Sequence, residues 1–257
     1  MLLATWNVNS LRARLPRVIE FLERHRPDAV CLQETKLHGE TFPHMDLAAV
    51  GYRAFEHSAG QWAGVAVLVR DDLAVEDEVV RGLLDEPLPA EARWIEVVVG
   101  GVRLISVYVI NGRTLDDPMF PHKLSFLDAM ERRAAQLAGT PYVLCGDFNI
   151  APADADVWDP AHFVGGTHVT PDERDRLARI LATGAVDAYR HLEPEAVQHT
   201  WWDYRGGNFH RGLGLRIDLA LVSNVLVPRL VSCGIDRDFR KGPKPSDHAP
   251  LLIELRD

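Results

Sequence analysis

The chain has 257 residues, of which 47% are hydrophobic and 25% charged, and a formal net charge of −9. This length buries a core without disulfides or a structural metal, and the composition excludes disordered and collagen-like chains. So acidic a chain is a poor indiscriminate binder of nucleic acid, and it has no run of about 18 apolar residues to span a membrane.

Leu2–Val8 reads as a buried strand. Leu15, Val18, Ile19 and Leu22 then fall at helical spacing, and Pro27 stops that helix. Ala29–Leu32 is a short apolar strand running into Gln33-Glu34, and Val65–Val69 is another. Trp94–Val99 and Arg103–Ile110 read as a hairpin turning at Gly100-Gly101. Leu124, Leu127, Met130, Ala134 and Leu137 mark an amphipathic helix that Gly139 and Pro141 end. Tyr142–Cys145 is a buried strand entering Gly146-Asp147-Phe148-Asn149. Thr170-Pro171-Asp172-Glu173 is a capping box with Pro at the first helical position. Ile217–Val222 and Leu251–Leu255 close the chain as strands. Many strands with few helices between them predict two packed sheets with helices outside, in one domain, since no linker or low-complexity tract divides residues 1–257. Trp6-Asn7 and Phe148-Asn149 each follow an apolar strand, a faint sign of internal duplication.

Cys31, Cys145 and Cys233 are far apart and flanked by apolar residues, as buried thiols of a reducing compartment would be. The N-terminus has neither a basic n-region nor a long apolar stretch, so the cytosol is the expected location. Charge is uneven. Residues 201–248 carry eight Lys/Arg against five Asp, a net of +3, which leaves −12 for the rest. A basic face on an acidic body suits a site that grips a polyanion only where it works.

Polar residues recur where apolar strands end: Asn7, Glu34, Asp147 with Asn149, Asp218, and Asp247 with His248. Strand ends are where α/β sheets place ligands, and buried polar groups are costly unless they meet each other or a metal. Alone, each has an ordinary reading. Glu34 can be a surface residue, Asp147 an Asx turn, Asn111-Gly112 a turn, and Trp201-Trp202 core. Asp218 is harder to dismiss, because strands are depleted in Asp. As a set, carboxylates and amides with one imidazole and no thiolate select a hard cation, Mg²⁺ or Mn²⁺, over zinc. Such a site is equipped for phosphoryl chemistry.

Ala4-Thr5-Trp6-Asn7-Val8-Asn9-Ser10-Leu11-Arg12-Ala13 resembles the opening of the exonuclease III family of AP endonucleases. Leu32-Gln33-Glu34-Thr35-Lys36, Gly146-Asp147-Phe148-Asn149, Arg216-Ile217-Asp218-Leu219 and Ser246-Asp247-His248-Ala249-Pro250-Leu251 follow in the family's order. Thr200-Trp201-Trp202-Asp203-Tyr204-Arg205 and Val186-Asp187-Ala188-Tyr189-Arg190 look like the DNA-repair branch and unlike the lipid and inositol phosphatases of the wider superfamily.

The resemblance implies a four-layer α/β sandwich of two mixed sheets, DNase I-like. It implies Mg²⁺-dependent hydrolysis 5′ to abasic sites, with 3′→5′ exonuclease and 3′-phosphatase activity, on double-stranded DNA with abasic sites or blocked 3′ ends. Mn²⁺ is expected to substitute, and a monomer is expected. By the same resemblance Glu34, with Asn7 and Asp247, holds the metal. Asp147 orients or deprotonates water, Asn149 stabilises the pentacovalent phosphorus, and Asp218 and His248 act at the scissile phosphate. Tyr108 and Asn111 contact phosphate, and Arg113, Arg205 and Arg216 reach the DNA. Trp201 and Trp202 wall a pocket for the base-less sugar, which costs little to extrude. Three positions depart from the pattern: Asn9 where some relatives have Asp, Ile110 where many have Pro, and Leu215 where some have Trp. The alternatives are a superfamily phosphodiesterase acting on a phospholipid or inositol phosphate, and a DNA-binding relative that has lost catalysis.

Overall fold

A computed structural model describes residues 1–76 and 78–256. In chain order they form β1 (Leu2–Asn7), α1 (Leu11–His25), β2 (Ala29–Gln33), α2 (His44–Ala48), β3 (Tyr52–His57), β4 (Val65–Arg70), β5 (Val80–Arg81), β6 (Trp94–Val99), β7 (Val102–Tyr108), α3 (Met119–Gln136) and β8 (Tyr142–Asp147). After these come α4 (Pro171–Ala182), β9 (Ala185–Asp187), α5 (Ala188–Leu192), α6 (Asn208–Arg211), β10 (Asp218–Ser223), β11 (Leu230–Ile235) and β12 (Leu251–Leu255).

The strands make two six-stranded sheets, ordered β11-β12-β1-β2-β4-β3 and β5-β6-β7-β8-β10-β9. Each sheet has one parallel pair, β1 with β2 and β7 with β8; its other pairings are antiparallel. Read from the same end the two orders correspond, with the parallel pair β1-β2, joined through α1, matching β7-β8, joined through α3. Trp6-Asn7 ends β1 and Phe148-Asn149 follows β8, strands that do not correspond, so the topology does not make the two dipeptides a repeat.

The strands facing across the middle read as continuous apolar runs because both their faces are covered. Val65, Val67 and Val69 of β4 meet Ile95, Val97 and Val99 of β6 between the sheets. Outside the first sheet, α1 buries Leu11, Val18, Phe21 and Leu22 against Trp6 and Leu32. Outside the second, α3 buries Phe126, Leu127 and Met130, and α4 adds Leu177 and Ile180. Each such side chain contributes about 1.5–3 kcal/mol. Helix, sheet, sheet, helix is the predicted four-layer sandwich.

Helix boundaries follow local chemistry. Thr170 caps α4, its hydroxyl accepting from Glu173 N while Glu173 reaches back to Thr170 N, the capping box expected there. The four strands the periodicity did not mark, β3, β5, β9 and β11, are the sheet edges, and most of their residues are half-buried or exposed. With little apolar burial, edge strands leave no alternating pattern to read.

Candidate active site

The topology sends polar residues to one end of both sheets. Asn7, Tyr108 and Asp147 close β1, β7 and β8, while Asp218 opens β10 directly opposite Asp147. Glu34 and Asn149 follow strand ends with left-handed backbone, φ 51° and 52°. Gly146 is needed for β8 to press against β7, since any Cβ there would meet the Val107 carbonyl oxygen at 2.0 Å. The hydroxyl of Ser246 donates to Asn7 O (2.7 Å) and accepts from His248 N (3.2 Å). Thr200 Oγ1 accepts from Ile217 N and Asp218 N. These cross-links fix the loop carrying Asp247 and His248 beside the sheet ends.

The result is a cleft of about 180 Å³ lined by Glu34, Tyr108, Asn111, Asp147, Asn149, His168, Trp201, Ile217, Asp247 and His248. Asn7 bridges two carboxylates, its Nδ2 donating to Glu34 Oε1 (2.8 Å) and Asp147 Oδ2 (2.9 Å). His248 Nδ1 lies 2.8 Å from Asp218 Oδ2, and its Nε2 faces Asp147 Oδ2 at 3.8 Å. Glu34, Asp147 and His248 offer ligand atoms all within 4.8 Å of one another. Asn111 Nδ2 donates to Asn149 Oδ1 (3.0 Å), and Asn149 Nδ2 donates to Val109 O (2.9 Å).

The electrostatics follow from crowding charge in a dry place. Burial pushes Asp147 up to about 7. His248 opposes that rise, and the negative charges of Asp218 and Glu34 add to it. Burial alone would lower His248, but Asp218 and Asp147 overcome it and raise the imidazole to about 10. Both shifts favour retention of protons on the His248–Asp147 pair. Burial and the Glu34 charge hold the Tyr108 phenol well above its ordinary range. The buried Oδ1 of Asp218 has no hydrogen-bond partner.

Most of the residues singled out in the sequence converge here. Asn7 faces the carboxylates with its amide nitrogen and bridges them, while its Oδ1 accepts from Asn9 N (2.9 Å). Asp247 splits its oxygens between Asn9 Nδ2 (3.0 Å) and Trp201 Nε1 (3.1 Å). Trp201 walls the cleft, whereas Trp202 does not. The Trp202 ring is buried on the far side, against Phe209 (centroids 5.1 Å apart) and under Arg237 and Arg240. Neighbours in a bridge point to opposite faces, so only one Trp of the pair reaches the cleft.

Arg216, expected to reach the DNA, does not face the cleft either. It is fully enclosed, paired with Asp156 and Asp187 at 2.7 Å, and makes no contact with the cleft. Arg113 and Arg205 are exposed and pair with Asp117 and Asp203. With Arg216 and Arg240 buried, the basic face is smaller than the charge count of residues 201–248 suggested.

His168, Lys36 and Asn9 were not among the expected site residues. Lys36 Nζ bridges Glu34 Oε2 (2.6 Å) and Asn9 Oδ1 (2.7 Å). His168 sits at φ 79°, and its Nδ1 lies 2.6 Å from the Asn149 carbonyl. A carbonyl only accepts, so Nδ1 carries the hydrogen. Burial and the Lys123 charge lower this imidazole to about 4, which keeps it neutral. The only sequence signal was Gly165-Gly166-Thr167-His168, which reads as an ordinary loop.

A family model described as the Endonuclease/Exonuclease/phosphatase family matches residues 4–248. The chain belongs to that family. Among its relatives within the family is the exodeoxyribonuclease III of Haemophilus influenzae, 32% identical over 98% of both chains. Two solved members share the fold throughout. One is a 3′ phosphatase from Neisseria bound to a product DNA hairpin (38% identity, TM-score 0.94, all of both chains). The other is an AP endonuclease from Archaeoglobus fulgidus (34%, TM-score 0.94, 99% of both chains). The chain is thus a hydrolase of the family's nuclease type. Among the described residues, no helix is long and apolar enough to cross a membrane.

Proposed function

We propose that the chain is a single catalytic domain that hydrolyses DNA phosphoesters at damaged sites, cutting 5′ to abasic residues and trimming blocked 3′ ends. The observation that carries this is the convergence of Glu34, Asp147 and His248 in one cleft, with the amides of Asn111 and Asn149 alongside. The carboxylates of Glu34, Asp147 and Asp247 form an oxygen donor set that suits Mg²⁺ or Mn²⁺. The site fits such an ion, because Glu34 and Asp147 crowd together there and the neighbouring carboxylates raise Asp147, leaving negative charge for a cation to offset. Glu34 would hold it, with Asp147 and Asp247 nearby. When bound, the ion supplies charge neutralisation at the phosphate.

The protein's own groups divide the remaining work. The Asp218 and Asp147 carboxylates raise His248, which favours its charged form and gives it the role of donor to a phosphate oxygen, held in place by Asp218. Asp147, raised by burial, is the base that takes the proton of the attacking water. Asn149 and Asn111 present amide donors to the crowded phosphorus. Tyr108 contacts the phosphate beside Glu34. Trp201 and Ile217 supply the apolar wall for a sugar without its base. Arg113 and Arg205 contact the DNA outside the cleft.

Replacing Glu34 with Ala is expected to lower cleavage of an abasic duplex at 1 mM-scale Mg²⁺ by about 10²-fold or more, with Mn²⁺ restoring part of the loss. A variant equally active in either ion would remove Glu34 from cation binding.

A specific observation favours 3′-end processing over internal incision. The His168 imidazole lines the cleft beside Asn149, on whose carbonyl it is anchored, and a ring at that wall obstructs a strand that continues past the phosphate more than one that ends there. Glycine accepts the φ of 79° at this position, so His168→Gly opens the wall without strain. The ratio of abasic-site incision to 3′-phosphate release is expected to rise about tenfold or more. An unchanged ratio would show that the imidazole does not set this selectivity.

A further inference from the structure

Behind the cleft lies an ion pair that the proposed chemistry does not use. Lys123 of α3 and Glu173 of α4 are both wholly buried and hydrogen-bonded to each other. Lys123 Nζ also donates to Asn149 O (2.7 Å), Thr167 Oγ1 (3.1 Å) and Asn111 O (3.2 Å). Glu173 Oε2 completes the capping box through Thr170. Its other oxygen turns inward and accepts from Thr167 Oγ1 (2.7 Å) and His168 N (2.9 Å). A capping box needs one carboxylate oxygen and no buried lysine, so helix capping does not account for the pair.

The groups gathered by this pair come from three loops, and each loop supplies one residue to the cleft: Asn111, Asn149 and His168. All three loops contain left-handed residues other than glycine: Arg113 (φ 57°), Asn149 (φ 52°) and His168 (φ 79°). Such conformations persist only where the surroundings over-determine them. An apolar pair would join α3 to α4 without desolvating two charges, but it could not hold backbone carbonyls and an N–H.

We infer that Lys123 and Glu173 are positioning residues, a buried pair that locks the backbone of Asn111, Asn149 and His168 in the geometry the cleft requires. What those three residues do there rests on the proposed function; that they are held does not. The pair tunes the reaction through amide placement, and a displacement of about an ångström at such donors costs on the order of 10²-fold in rate.

The test uses the full-length Lys123→Met/Glu173→Gln double variant. It removes both charges together, so no uncompensated ion stays buried, and Gln still serves in a capping box. Amide hydrogen exchange in the DNA-free protein is expected to quicken about tenfold or more in residues 109–115, 148–152 and 164–170, with β1 and β2 unchanged. Single-turnover cleavage at saturating DNA is expected to fall about 10²-fold while the DNA Kd stays within about threefold. A lower melting temperature with unchanged exchange in the three loops would leave the pair a fold stabiliser and overturn the inference. If the double variant does not fold, Thr167→Val removes one link of the ring. Faster exchange in residues 164–170 then supports the inference, and unchanged exchange there overturns it. A wild-type protein inactive on every DNA substrate would instead sink the proposed function, while exchange would still decide the positioning.

Discussion

Asp147→Asn is expected to lower single-turnover DNA cleavage by about 10²–10⁴-fold, the range of a lost general base, while DNA affinity is held or improved. Both oxygens of the Asp147 carboxylate are occupied by donors, Asn149 N at 2.9 Å and Asn7 Nδ2 at 2.9 Å. An asparagine keeps the shape but offers one acceptor and one NH₂, so one neighbour loses its acceptor. The larger effect is chemical, since a neutral amide cannot take the proton of the attacking water. Removing a negative charge beside a phosphate does not weaken binding. Burial and the Glu34 and Asp218 charges push Asp147 up to about 7, and a bound cation beside it lowers that value, so wild-type cleavage in Mg²⁺ is expected to rise with pH below that region as the base ionises. That rise should be missing from the residual activity of the variant. A variant within tenfold of wild type, with the rise intact, would assign the base elsewhere.

The second large effect is on stability. Arg216→Ala is expected to cost about 3–5 kcal/mol, because it strands buried carboxylates that the guanidinium now compensates. Arg216 Nε and Nη2 grip Asp156 in a fork (2.7 and 3.2 Å), and Nη1 reaches Asp187 at 2.7 Å. Arg190 Nη2 also donates to Asp156 Oδ1 at 2.7 Å, sharing that oxygen with Arg216 Nε. At roughly 2–4 °C per kcal/mol for a protein of this size, the melting temperature should fall by about 10 °C. The KM for DNA, measured where the variant is folded, should stay near the wild-type value. A weaker KM with an unshifted melt would restore Arg216 to the substrate.

That contrast marks what a sequence conveys. Apolar runs located most central strands, because both their faces are buried, and the capping box located the start of α4. The carboxylates, amides and imidazole at strand ends were readable because their cost demands a partner. The family resemblance added their order and their expected roles. Face and depth were not readable: nothing in Trp201-Trp202 says which ring turns to the cleft, and nothing in Arg216 says that Asp156, sixty positions away, encloses it. His168 stayed hidden for a related reason. Its place depends on φ 79° and on the Asn149 carbonyl and Glu173, contacts that only the folded loops create.

The most direct measurement of the central claim uses one 5′-labelled DNA duplex carrying an internal tetrahydrofuran abasic analogue, and a second ending in a 3′-phosphate, each with Mg²⁺ or with EDTA. The proposed function predicts Mg²⁺-dependent products that EDTA abolishes. These are a band ending one phosphodiester 5′ to the analogue on the first duplex and loss of the terminal phosphate on the second, with the second reaction the faster if the His168 wall acts as described. Folded protein that leaves both duplexes intact in Mg²⁺ and in Mn²⁺ would contradict it, and would direct attention to phosphoesters other than DNA.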